Sequence, residues 1–226
     1  MIHAPEAEDG TYFTLIGDVV GSRGAADRSA LQRDLKAALT RINREIRPAL
    51  PLEPTLGDEF QAGFDTLSEA VRASLLLRLE LLERVEIDTR YGLGHGWITV
   101  FAKRRPRSQD GEGWWSARDA IELVGRVAEG PSGSFARTRF QAWANEEVPD
   151  FDDPGAVNAS LLTRDWIVDR MNAKSRRRML ALLRGRTQTE IAQMEKTTQG
   201  AISQNLTRSG AYAILAGQLA FEGRTL

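Results

Sequence analysis

Three acidic residues at turn-like positions are the first candidates for chemistry. Asp18 ends an apolar, β-rich segment, and Asp58 and Glu59 follow a glycine between two further short β-rich segments. In a β-α-β-β arrangement the first strand lies beside the later hairpin, which would bring Asp18 and Asp58 to one edge of a sheet. Two carboxylates and a backbone carbonyl are ligands that Mg²⁺ takes when it also holds phosphates. We therefore predict a Mg²⁺ or Mn²⁺ site at Asp18, Asp58 and Glu59. The alternative is that these acids only form turns.

Two arginines are candidates for holding the phosphates of a nucleotide near these acids. Arg23 lies in the glycine-containing segment 21–24, which leads toward a predicted helix whose N-terminus could receive phosphate. Arg118 lies in a later predicted helix, and its guanidinium fork suits phosphate oxygens. The chain has no cysteine and only two histidines, which excludes thiolate metal sites and a cluster of histidine ligands.

The spacing of apolar residues predicts the elements that must position these side chains. Strands are expected at 12–20, 52–56, 59–64, 89–101 and 137–143, and helices at 27–47, 68–82 and 114–129, with a charged loop at 103–113. This order predicts an α+β fold, a ferredoxin-like sheet with helices on one face, in residues 1–148. The acidic segment 145–154, which contains two prolines, is expected to link it to a second, all-α domain at 155–226.

The segment 187–208 has the pattern of a helix-turn-helix, the unit with which many regulators bind double-stranded DNA. Thr187 and Glu190 form a predicted capping box, and a second helix is expected to open near Thr198. Lys196 stands where a left-handed residue, usually glycine, is needed, at a cost of about 1 kcal/mol. Side chains that could contact base edges or phosphates are Thr198, Gln199, Ser203, Gln204, Asn205 and Arg208. The alternative is an ordinary helical hairpin with a polar surface.

The charge is divided unevenly along the chain, although the net charge is only −1. Residues 1–150 contain 19 basic and 24 acidic side chains, whereas residues 151–226 contain 11 basic and 7 acidic ones. A basic second part favours a polyanion as its partner. We predict that Arg176, Arg177 and Arg178 contact DNA phosphates.

Composition and length restrict the remaining possibilities. No apolar run approaches the ~20 residues that span a bilayer, and the first ten residues do not have the basic and apolar pattern of a signal peptide. We therefore expect a soluble cytoplasmic protein that does not bind a membrane. A homodimer is also expected, because one helix-turn-helix reads few base pairs, whereas a twofold pair places two recognition helices ~34 Å apart.

Four motifs resemble those of known families. Asp18 within LIGDVVGSR and Asp58 within LGDEFQ resemble the two metal-binding aspartate motifs of class III nucleotide cyclases and their GGDEF-domain relatives. The set IGDVVGSR, TLGDEFQ, RYGLGHGWI and DGEGWWSARDAI, which spans most of 13–125, resembles the SatD family, bacterial proteins of poorly defined role. The resemblance implies a cyclase-like palm fold with Asp18 and Asp58 at a metal site.

The chain also departs from the cyclase pattern. Pro54 stands where class III cyclases place a base-recognising lysine, and Trp114 stands four residues before Arg118, where their transition-state asparagine is expected. A GGDEF cyclase would have glycine at Leu56. The sequence therefore predicts a DNA-binding transcriptional regulator whose palm-like part senses a nucleotide or a divalent metal. The alternatives are a metal-dependent nucleotidyl cyclase-like enzyme that uses Asp18 and Asp58, and a palm that serves only as a dimerising scaffold.

Overall fold

A single mixed sheet organises the first two thirds of the chain. The computed structural model describes residues 8–22, 27–102, 108–143 and 153–225. The strands are β1 (Gly10–Val19), β2 (Leu50–Pro54), β3 (Phe60–Phe64), β4 (Thr89–Ala102), β5 (Ser108–Asp110) and β6 (Thr138–Ala142). The first four are antiparallel in the order β2-β3-β1-β4, which is the ferredoxin-like order that the sequence predicts. On the outer edge of β4, β6 pairs in parallel with its first half and β5 pairs antiparallel with its end.

Helices cover both faces of this sheet, whereas the sequence pattern placed them on one. Helices α1 (Arg28–Ile46) and α2 (Leu67–Val85) pack on one face, and α3 (Glu112–Glu129) packs on the other. In β1, Leu15 faces the core with α1 and α2, while Ile16 faces α3. The prediction was wrong because β4 carries glycines, which allow a helix to pack directly on this face. A Cβ on Gly94 would lie 2.3 Å from the Gly113 carbonyl oxygen, so only glycine allows α3 to approach so closely.

The last third of the described chain is helical. It contains α4 (Pro154–Arg170), α5 (Ala173–Leu183), α6 (Gln188–Met194), α7 (Gln199–Arg208) and α8 (Ala211–Phe221). The predicted capping box forms, because the Thr187 hydroxyl accepts from the Glu190 amide and the Glu190 carboxylate accepts from the Thr187 amide. Lys196 adopts a left-handed conformation with φ of 52°, as the turn between α6 and α7 requires. No helix in the described ranges combines the length and apolar character needed to cross a bilayer.

The helical part packs against the α1 and α2 side of the sheet. The buried apolar residues of both parts form one continuous cluster, in which Leu75 and Leu76 of α2 join Leu161 of α4 and Met179 of α5. Residues 144–152, which include most of the predicted linker, lie outside the described residues. The division into two domains at this segment stays a prediction.

Candidate functional site

The predicted acidic residues gather around one pocket at the end of β1, which we call the acidic pocket. It has a volume of about 400 Å³ and is lined by Asp18, Val19, Gly21, Ser22, Leu56, Asp58, Glu59 and Arg90. Asp18 is the penultimate residue of β1, and Asp58 lies in the turn between β2 and β3, where Gly57 adopts φ of +67°. One Asp58 carboxylate oxygen accepts a hydrogen bond of 3.2 Å from the Val19 amide, which fixes the turn against the strand end. The structure therefore brings Asp18, Asp58 and Glu59 together.

Two arginines already neutralise most of this negative charge. Both Asp18 oxygens accept hydrogen bonds from Arg90 of β4, at 3.1 Å from Nε and 2.8 Å from Nη2. Both Glu59 oxygens accept from Arg118 of α3, at 2.6 and 2.7 Å. The hydrogen bonds to Glu59, together with nearby carboxylates, raise the pKa of Arg118 against the opposing effect of burial. These bidentate pairs occupy one lone pair on each oxygen of the two carboxylates and compensate their charge.

The residues of the acidic pocket, as arranged, do not fit a divalent cation. Only Asp58 has a carboxylate oxygen that accepts no hydrogen bond from the described residues. Within the described ranges, no three histidine, cysteine, aspartate or glutamate residues are grouped so that they could hold a metal ion. Mg²⁺ requires about six oxygen ligands in near-octahedral geometry, and the described residues do not present such a set.

Arg90 was not identified from the sequence as part of this site. Arg118 was identified, but the ion pair of Arg118 with Glu59 was not. Arg90 lies directly opposite Asp18 in the antiparallel register of β1 and β4, and only knowledge of that register could have found it. Arg118 forms an ion pair with Glu59. Its contact with phosphate stays a prediction. Arg23, the other residue predicted to bind phosphate, lies outside the described residues.

The residues of α7 that were predicted to contact DNA differ in their exposure and in their hydrogen bonds to other residues of the protein. Thr198, Gln199, Gln204 and Arg208 are exposed, whereas Ser203 and Asn205 are half-buried. The Thr198 hydroxyl caps α7 by accepting from the Ala201 amide at 3.2 Å, and the Gln199 amide donates to Gln188 of α6. Asn205 donates to the Ser175 hydroxyl at 3.0 Å. Gln204 and Arg208 make no hydrogen bond or ion pair with the described residues, so they are the freest side chains of this surface.

The three consecutive arginines of α5 do not form one basic surface. Arg176 donates to the Met171 carbonyl at 2.7 Å, which caps the end of α4. Arg178 is only 3% exposed and binds Glu195 through two hydrogen bonds of 2.9 and 2.6 Å. Arg177 is 56% exposed. Neighbouring residues of a helix point about 100° apart, so three in a row cannot share one face. Arg177 remains exposed beside Glu83 at 3.6 Å and Glu195 at 3.8 Å, whereas Arg178 is buried against Glu195, and the contact of these arginines with phosphate stays a prediction.

The model of the SatD family matches residues 12–216 of this chain. The chain belongs to the SatD family. This SatD-family protein is also similar to a bacterial light-regulated adenylyl cyclase, at 16% identity and a TM-score of 0.46, over 59% of this chain and 76% of that chain. It is similar to the guanylyl cyclase Cya2, at 11% identity and a TM-score of 0.37, over 55% of this chain and 72% of that chain. It is similar to the adenylyl cyclase CyaB from P. aeruginosa, at 11% identity and a TM-score of 0.36, over 49% and 71% of the two chains. No curated protein matches the chain.

Proposed function

We propose that this SatD-family protein is a transcriptional regulator that binds double-stranded DNA with α6 and α7 as a helix-turn-helix. One observation carries the proposal: α6 and α7 are joined by a turn with left-handed Lys196, and Gln204 and Arg208 project free from α7. In a helix-turn-helix the second helix enters the major groove. Glutamine can pair with adenine and arginine with guanine through two hydrogen bonds each, which supplies sequence discrimination.

The packing of the two helices supports this role. Ile191 and Ala192 of α6 are buried together with Ile202 and Leu206 of α7, which fixes how α7 is presented. Gln199 at the start of α7 is held by Gln188, so a side chain predicted to contact DNA is oriented before DNA arrives. Such preorganisation reduces the entropy lost on binding.

Cations outside α7 would supply the contacts to phosphates. Lys174, Arg177, Arg186 and Lys196 are exposed on or beside α5 and α6. Each phosphate that they neutralise releases counterions, so the affinity should fall steeply with salt. We propose that two copies bind together, because one helix-turn-helix reads few base pairs.

The test is a selection from random duplexes followed by a fluorescence-anisotropy titration of the full chain. We expect one sequence to be enriched and to bind at least about 10³-fold more tightly than an unrelated duplex at the same salt. Affinity for both duplexes should fall as salt rises. If no duplex binds even at low salt, DNA binding is excluded.

A second candidate function is a nucleotidyl cyclase-like enzyme, and the convergence of Asp18 and Asp58 at the acidic pocket favours it. It requires that Mg²⁺ or Mn²⁺, brought by a nucleotide, binds Asp18 and Asp58. Incubation with each nucleoside triphosphate and either metal tests this function. Cyclised product that disappears in Asp58→Asn would establish the enzyme. Ligand-dependent thermal stabilisation without product would instead indicate a nucleotide or metal sensor. If neither product nor stabilisation is observed, the sheet serves only as a scaffold.

A further inference from the structure

A second cavity lies where the sheet's helix α2 meets the helical part. It has a volume of about 310 Å³ and is bounded by α2, α4 and α8. Its apolar lining includes Val71, Leu75, Leu161, Ile167, Ile214 and Phe221. This volume is at the lower end of the range of about 300–1,000 Å³ that is usual for small-molecule sites. The cavity lies apart from both the acidic pocket and the exposed face of α7.

Two of the polar side chains that line this cavity are buried. Arg164 is 8% exposed and Gln218 is 3% exposed. Arg164 uses Nη1 to donate to the Val71 carbonyl at 3.1 Å, and Gln218 uses Nε2 to donate to the Ser68 carbonyl at 3.2 Å. The Nε donor of Arg164 and the Oε1 acceptor of Gln218 are buried without a hydrogen-bond partner. Buried polar atoms usually have partners, so this donor and this acceptor are open to hydrogen bonds from a water or a ligand in the cavity.

The charge around Arg164 favours an anion. Among the residues that the structure describes, Arg164 belongs to a cluster of ion pairs with three guanidinium groups, those of Arg78, Arg137 and Arg164, but only the two carboxylates of Asp88 and Asp165. The cluster therefore has one positive charge in excess. Burial lowers the pKa of Arg164, because removal from water disfavours its charged form. A carboxylate in the adjacent cavity would compensate the excess charge and accept from Nε.

We propose that this cavity binds a small amphipathic carboxylic acid. Its apolar body contacts the aliphatic lining, its carboxylate accepts a hydrogen bond from Arg164, and a hydroxyl or amino group on the same molecule donates to Gln218. The site requires neither DNA binding nor a metal. It can therefore be tested in the free protein whatever the outcome for α7 or the acidic pocket.

Gly217 offers a variant that adds a side chain at the wall of the cavity without disturbing the fold. Gly217 lines the cavity, and nothing lies within 4 Å of the position that its Cβ would take. Leucine at this position therefore extends into free space, and replacing a helical glycine should not lower the melting temperature. Ala220→Leu is the matched control, because Ala220 is exposed on the same helix and does not line the cavity.

The experiment combines thermal melts and calorimetric titration with octanoate and 3-phenyllactate, and uses octanamide as the neutral counterpart of octanoate. We expect at least one carboxylate to bind the wild type and Ala220→Leu, and to bind Gly217→Leu at least about tenfold more weakly. Octanamide should bind the wild type at least about tenfold more weakly than octanoate does, because it lacks the charge that pairs with Arg164. The proposal is overturned if neither carboxylate binds, if Gly217→Leu binds as well as Ala220→Leu, or if octanamide equals octanoate.

Discussion

Asp165 is the residue at which a single change tests how the helical part is attached to the sheet. Its carboxylate is 1% exposed and lies 3.4 Å from Arg78 of α2 and 3.3 Å from Arg164 of its own helix. It also accepts from the Thr138 hydroxyl at 3.3 Å and from the Arg137 amide at 2.8 Å. Asp165→Asn preserves the shape but removes the charge, and it turns an amide donor toward arginine donors. The variant therefore leaves the buried guanidinium groups of Arg78 and Arg164 and the half-buried one of Arg137 with one remaining carboxylate, that of Asp88.

Loss of one partner from a buried ion pair costs about 3–5 kcal/mol of unfolding free energy, because the other charge remains buried. For a chain of this length each kcal/mol lowers the melting temperature by about 2–4 °C, so we expect a decrease of about 6–20 °C. Guanidinium unfolding followed by circular dichroism measures the change. Asp169→Asn, an exposed change on the same helix, should stay within about 0.5 kcal/mol of the wild type. If Asp165→Asn loses less than about 1 kcal/mol, the ion-pair cluster does not stabilise this junction.

Two further predictions concern stability. Gly94→Ala should lower the unfolding free energy by about 1–3 kcal/mol or more, because the added Cβ meets the backbone of α3. Gly200→Ala is the control and should not destabilise the protein, because there is open space around that position. Equal melting temperatures for both variants would contradict the packing of α3. Burial raises the pKa of Asp88 and of Glu80, but neighbouring arginines outweigh this effect and hold both pKa values below their ordinary range. Their contribution to stability is therefore present above about pH 4 and is lost as the pH falls toward the folded-state pKa values, so the guanidinium midpoint should be lower at pH 3 than at pH 6. An equal midpoint at the two pH values would contradict this electrostatic account.

The sequence predicts local features of this fold well because their causes are local. A run rich in β-forming residues marks β1, and the hairpin of β2 and β3 follows from the glycine and aspartate between them. The capping box at Thr187 and the left-handed turn at Lys196 depend on residues only a few positions apart. These features do not require knowledge of the tertiary structure.

What the sequence did not predict depends on register and helical phase. Arg90 is 72 residues from Asp18 and meets it only because β1 and β4 pair in one particular register. The position of α3 on the opposite face follows from the glycines of β4, which serve as a close-packing surface. Arg178 is buried because its phase on α5 points it toward Glu195, although its neighbour Arg177 is exposed. Composition and spacing alone do not contain this information.

The most direct test of the central claim compares Gln204→Ala with Gln193→Ala, exposed glutamines on α7 and α6. Each variant is titrated against the enriched duplex and against an unrelated duplex at one salt concentration, and the ratio of the two affinities is the measured quantity. The account predicts that Gln204→Ala lowers this ratio roughly 5- to 150-fold, which corresponds to about 1–3 kcal/mol, because a base contact is lost. The ratio for Gln193→Ala should be the same as for the wild type. Equal ratios for the wild type and both variants would contradict the claim that α7 reads DNA.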